Sequence, residues 1–306
     1  MAQRTTTSDP GAETTFAAPH PVERASLPAR RPPEHDDLLP GLEPDRTITD
    51  WGRSERIEGL LDRTIVDFFY KQWFRVEVEG VEHVPSEGGA LLVSNHAGAL
   101  PPDAPMIAKA IKEEHPHPRP VHLTVEHFFK GYPGFAMLLP KIGAVPAHPA
   151  NVHRLLHDER QLVLVFPEGA KGTTKLYNAR YRVRRFGRGG FVEAAMRARA
   201  PIVPIAMIGA EEAAPIFAQV KPLQRLTRLI YFPITPTFPW FGPLGMLGYL
   251  PAKFKLRFLE PIDTRKMGAD PASDKALVQT VSQEVRARIQ DSLHEMVGER
   301  KSIWLG

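Results

Sequence analysis

The chain has 306 residues, 42% of them hydrophobic, a formal net charge of +4 and no cysteine. That is enough apolar material for one large α/β domain or two small ones. The missing cysteine excludes disulfides, thiolate metal sites and a cysteine nucleophile. So small a net charge does not call for nucleic acid, and local clustering of charge says more.

Residues 1–47 are rich in Pro, Ala, Thr and charge and poor in aromatics, a composition that predicts a disordered tail. They lack the apolar core of a signal peptide, so the chain is expected to stay in the cytoplasm. From Asp50 to about Tyr70, apolar residues at 57, 60, 61, 65, 68 and 69 follow helical spacing. Phe74, Val76 and Val78 then alternate with Arg75, Glu77 and Glu79, as in a half-buried strand. Short β-type runs follow at 90–94, 121–125, 161–166 and 201–208, separated by helical patterns at about 104–114, 149–160 and 189–199. This alternation predicts an α/β fold with a largely parallel, twisted sheet flanked by helices. A strand pattern at 253–261 and a closing helix, with Leu277, Val281, Val285, Ile289 and Leu293 every fourth residue, complete it. No repeat and no second boundary appear, so residues 48–306 read as a single domain.

Residues 229–252, "LIYFPITPTFPWFGPLGMLGYLPA", carry no charge. Prolines at 233, 236, 239, 243 and 251 would break a helix repeatedly, and irregular backbone cannot face the lipid core. The segment is expected to cap a core or to dip into a membrane interface.

Three stretches carry candidate chemistry. "LLVSNHAGALPPDAPM" (91–106) places His96 just beyond an apolar strand, and active groups gather at such carboxyl ends in open α/β sheets. Asp103 is able to accept the ring N–H and fix the tautomer, or to cap the helix that begins at "APMIAKAI". "FPEGAKGTTK" (166–175) brings a carboxylate, glycines and two lysines into one turn, a headgroup site or a plain β-turn with solvated lysines. "ARYRVRRFGRGGF" (179–191) offers Arg180, Arg182, Arg184, Arg185 and Arg188, suited to phosphate or simply a solvated basic strand. No nucleic-acid-binding pattern accompanies these arginines. A P-loop, a G-x-S-x-G elbow and an H-E-x-x-H zinc pair are all absent, and His115 and His117, set between prolines, read as loop residues.

"VSNHAGALPPD", "FPEGAKG" and "APIVPI", in this order, resemble the glycerolipid and lysophospholipid acyltransferase family, which includes 1-acylglycerol-3-phosphate acyltransferases. The resemblance covers about residues 50–295 and implies acyl transfer from acyl-CoA or acyl carrier protein to a lipid hydroxyl. It makes His96 the general base and Asp103 the acid that orients it. Asn95, Phe166, Pro167, Glu168, Gly169 and Lys171 would bind substrate, and Arg184 and Arg185 the phosphates of the donor. No metal and no cofactor besides the acyl donor is implied. The expected place of action is the cytoplasmic side of a membrane, as a peripheral protein, with no nucleic-acid partner.

Two features depart from the family pattern. The acid stands seven residues after the histidine, where five is usual, so the extra residues must loop out. Ala170, Lys171 and His148 stand where arginine-bearing patterns are common, which points to a neutral-lipid branch. The other readings are a strict lysophosphatidic acid acyltransferase, a lipid-binding scaffold without catalysis and an RNA-binding protein.

Overall fold

The computed structural model describes residues 49–98, 100–126, 133–187, 189–227, 231–268 and 270–306. The expected tail at 1–47 lies outside the described residues, as do Arg188 and the first two residues of the uncharged segment.

Seven strands form one sheet: β1 (Glu77–Glu79), β2 (Ala90–Ser94), β3 (Val121–Val125), β4 (Ala144–Pro146), β5 (Leu162–Val165), β6 (Ile202–Ile208) and β9 (Lys255–Phe258). Their order is β1-β9-β6-β2-β5-β3-β4. Every pairing is parallel except β6 with β9. β7 (Ala218–Gln219) and β8 (Pro233–Ile234) form a separate antiparallel pair. The fold is thus α/β, with a mostly parallel sheet flanked by helices.

β2 lies at the centre, and all five of its residues are buried. Because side chains alternate across a strand, its two faces feed two cores. Leu91 and Val93 pack with Val163 and Val165 of β5, with Val192 and Met196 of α6 (Gly190–Ala198), and with Val285 and Ile289 of α9 (Lys275–Glu299). Ala90 and Leu92 pack with Met106, Ile107 and Ile111 of α2 (Asp103–Glu114) and with Phe74 and Phe254. Burial of each such large side chain contributes roughly 1.5–3 kcal/mol relative to exposure, so β2 is anchored from both sides. That leaves the residues immediately after it on a rigid base.

The first helix, α1 (Glu55–Leu61), continues through wider turns as far as Trp73. Its inner side joins α2 through Lys109, almost fully buried, whose ammonium lies 3.3 Å from Asp62, 3.1 Å from Asp67 and 2.8 Å from Glu113. Its outer side leaves Leu60, Ile65 and Phe68 exposed. Among the described residues, no helix is long and apolar enough to cross a membrane.

The uncharged segment divides its aromatics. Phe232 and Phe238 are buried, whereas Trp240 and Phe241 are 69% and 71% exposed, with Leu244 and Leu247 exposed beside them. It therefore both caps a core and presents an apolar surface.

Candidate active site

The carboxyl ends of β5, β2 and β6, three adjacent parallel strands, open on the same edge of the sheet. Each delivers one stretch to that edge: His96 follows β2, the Phe166–Gly169 turn follows β5, and Gly209 leads into α7 (Ala210–Ala213) after β6. Ligands of open α/β sheets gather in this kind of crevice.

His96 Nδ1 lies 2.8 Å from Asp103 Oδ2. The Asp103 side chain is fully buried, whereas that of His96 is 18% exposed. Asp103 Oδ2 also accepts the Ala97 N–H at 3.0 Å. A carboxylate here accepts the Nδ1 proton and turns Nε2 outward as the basic nitrogen. The helix-capping role expected as an alternative is not adopted. Asp103 is the first residue of α2 after an N-cap at Pro102, and its carboxylate reaches back to the histidine loop. The helix dipole still favours a negative side chain at that position. Phe166 stacks on the His96 ring with centroids 4.1 Å apart and planes 20° from parallel, closing one face of the imidazole.

The longer histidine-to-acid spacing does not separate the pair. The added residues turn at Gly98 (φ +83°) and at Leu100, whose φ of +49° is unusual for a residue with a side chain. A Cβ at Gly98 would stand 2.9 Å from the Ala210 carbonyl. At Gly172 it would stand 2.8 Å from the His96 carbonyl, so α5 (Ala170–Thr173) packs directly on the histidine.

Glu168, expected to touch substrate, is instead buried and committed to the frame. Its Oε1 accepts the His96 N–H at 3.0 Å and its Oε2 the Arg184 N–H at 2.7 Å. Lys175 lies 3.6 Å from Glu168 and 3.1 Å from Glu211, with all three side chains nearly or fully buried. Glu211 in turn accepts the Tyr181 N–H at 2.7 Å, and burial pushes its carboxyl up against the pull of Lys175. Glu212 takes the Tyr181 hydroxyl and pairs with Arg300 at 2.9 Å, carrying the network to the end of α9. Asn95 is likewise committed. Its amide donates to the Met207 carbonyl at 3.0 Å and its oxygen accepts the Met207 N–H at 2.9 Å, stitching the end of β2 to β6. With both polar ends of Asn95 and both oxygens of Glu168 engaged by the protein, these two residues hold the walls of the site.

The residue types at this edge, an acid–base pair with an open nitrogen beside an apolar groove, fit proton transfer to or from a hydroxyl. Residues 75–208 match the acyltransferase family profile. Over 262 residues, 86% of this chain and 73% of the other, the sequence is 42% identical to an uncharacterized protein of Mycobacterium tuberculosis strain H37Rv. The chain belongs to the acyltransferase family. More distant is a Gallus gallus protein named "DGAT1/2-independent enzyme synthesizing storage lipids", 28% identical over 192 residues, which are 62% of this chain and 53% of that one. The crystal structure of the 1-acyl-sn-glycerophosphate acyltransferase PlsC from Thermotoga maritima shares the fold. The TM-score is 0.52 at 17% identity, covering 81% of this chain and 80% of that one.

In this acyltransferase, a groove of about 190 Å³ opens beside Phe166 and Pro167, lined mainly by Val152, Val165, Phe191 and Ala194 with His148 at the rim. His148 Nδ1 accepts the Ala150 N–H at 3.2 Å and caps α4 (Pro149–His153). Lys171 is exposed on α5, the short helix whose Gly172 packs on His96. Arg184 and Arg185 extend from an irregular stretch in which Tyr181, Val183 and Phe186 are buried while Arg182, Arg184 and Arg185 are exposed. Neither the basic strand nor the solvated position expected for Lys175 is found. Among the described residues, no group of three or more His, Asp or Glu side chains is placed to hold a metal ion. Sequence reasoning missed Lys175, Glu211, Tyr231 and Tyr249. The paired acids of "GAEEAAP" at the end of a buried strand were the available signal for Glu211.

Proposed function

We propose that this protein moves a fatty acyl group from the thioester of acyl-CoA or acyl carrier protein to a glycerolipid hydroxyl. His96 Nε2 takes the hydroxyl proton, and the oxygen attacks the thioester carbonyl. An ester C–O bond forms, the C–S bond breaks, and the histidine proton passes to the departing thiolate. Asp103 holds Nδ1–H throughout and stabilises the imidazolium. The observation that carries this reading is a partly exposed imidazole whose Nδ1 lies 2.8 Å from a fully buried acid. The apolar groove beside Phe166 suits an acyl chain, and the exposed arginines 184 and 185 suit the donor's phosphates.

The acceptor we propose is uncharged, a mono- or diacylglycerol. Lys171 lacks the bidentate fork of arginine, and His148 presents an accepting nitrogen to its own backbone. A distant relative named for storage-lipid synthesis agrees with this choice. The test is thiol release from one long-chain acyl-CoA with a panel of acceptors. Neutral acceptors are expected to be the faster, and much faster acylation of lysophosphatidate would replace this reading with the strict lysophosphatidate one. No thiol release with any acceptor would favour a lipid-binding scaffold.

The protein would work from the cytoplasmic side of a membrane, bound at the surface through Trp240, Phe241, Leu244 and Leu247, which are all exposed. Replacing Trp240 and Phe241 together by Ser is expected to reduce flotation with liposomes while the fold persists. Full flotation of the folded double variant would remove the membrane role from this stretch.

A further inference from the structure

We infer that Tyr231 and Tyr249 are positioning residues that clamp the loop between His96 and Asp103 through both backbone groups of Leu100, an inference that rests on the reading of His96 as the base. The Tyr249 hydroxyl donates to the Leu100 carbonyl at 2.6 Å, and the Leu100 N–H donates to the Tyr231 hydroxyl at 3.3 Å. Leu100 belongs to the stretch that makes the histidine-to-acid spacing two residues longer than usual, and its φ is +49°. A leucine in that region is strained and persists only where its surroundings fix it. The two hydroxyls are the groups that grip it.

Both tyrosines are themselves firmly seated. The Tyr249 ring packs edge-on against Phe69 and Phe74, and its carbonyl accepts the Trp73 indole N–H at 3.1 Å. Burial, with the charge of Asp103 adding to it, pushes the Tyr249 phenol well above its ordinary value, so it remains a donor. Tyr231 packs against Ala214 and Ile216. The uncharged segment thus reaches the site from both ends, while the exposed Trp240–Leu247 stretch lies between the two tyrosines.

Positioning makes demands that a merely structural role does not. Tyr231→Phe and Tyr249→Phe keep the rings and remove only the hydroxyls. Each is expected to lower kcat about fivefold, and both together by on the order of tenfold or more, following the loss of one hydrogen bond apiece. KM for donor and acceptor, and flotation with liposomes, should stay near the wild-type values. Leu100→Gly, which adopts positive φ without strain, should restore part of the rate to Tyr249→Phe. Amide exchange of the 96–103 loop should quicken in the tyrosine variants and provides a readout that needs no activity. If wild-type protein transfers no acyl group, the proposed function fails, while exchange still tests the clamp. Unchanged exchange in the folded double variant overturns the clamp. So does a wild-type kcat in that variant, or a loss expressed only in KM.

Discussion

His96→Ala is expected to slow acyl transfer by roughly 10²–10⁴-fold, the usual contribution of a positioned acid–base group, with little change in folding. The ring is partly exposed at the edge of the sheet and is not packed inside either core. Alanine retains the backbone N–H that Glu168 accepts, so the frame of the site survives. Besides the base, the variant loses the stack on Phe166, worth about 0.5–1.5 kcal/mol, and the Nδ1–H donated to buried Asp103, whose Oδ2 keeps the Ala97 N–H. Thiol release measured alongside circular dichroism decides the matter, and near-full activity in a folded variant would remove the mechanism. Asp103→Asn should be milder. The Ala97 N–H demands an acceptor at the position of Oδ2, so the asparagine must present its oxygen there. That same oxygen then accepts from His96 Nδ1, and the ring keeps its tautomer while losing the neighbouring charge.

The pair that carries this prediction was legible because strand and chemistry are written side by side in residues 90–103. A fully apolar run ends, a histidine follows, and glycine and proline force a turn before an acid. β5 and β6 were legible as short apolar runs, buried at every residue, and β9 and α9 as periodic ones. β4 was not, because three residues of Ala144–Pro146 contain too little alternation to read. The helix α3 (Pro133–Lys141) was also missed, with Pro140 inside it. Within the site, polar residues misled where composition suggests solvent. Lys175 lies in a turn rich in Gly and Thr, yet Glu168 of that same turn and Glu211 of α7 enclose it. Tyr231 and Tyr249 resemble their exposed neighbours in sequence, and only the chain's path turns their hydroxyls onto Leu100. Contacts between residues 131 or 149 positions apart leave no periodic trace.

Lys175→Met is expected to destabilise the fold by about 3–5 kcal/mol, the consequence of removing one member of a buried charged group. Methionine fills nearly the same volume, so the loss reports charge and not a cavity. Glu168 is the less affected of the two acids, because the backbone N–H groups of His96 and Arg184 still satisfy its oxygens. Glu211 loses its only described cation, and its carboxyl is already pushed up by burial in the native protein. Without Lys175 it should rise further and hold a proton in the folded state. The unfolded chain ionises this acid above its ordinary value of 4.5. A raised folded value therefore makes stability fall as pH climbs through that window. The penalty should be smaller near pH 5 than near pH 8, as read from urea melts of wild type and variant at both. Glu211→Gln in the Lys175→Met background should recover part of the loss at the higher pH, since no charge then remains to be neutralised. A penalty that is small and equal at the two pH values would mean that Lys175 is solvated after all. Because the same lysine braces Glu168, and Glu168 holds the His96 backbone, any variant that remains folded should also transfer acyl groups more slowly.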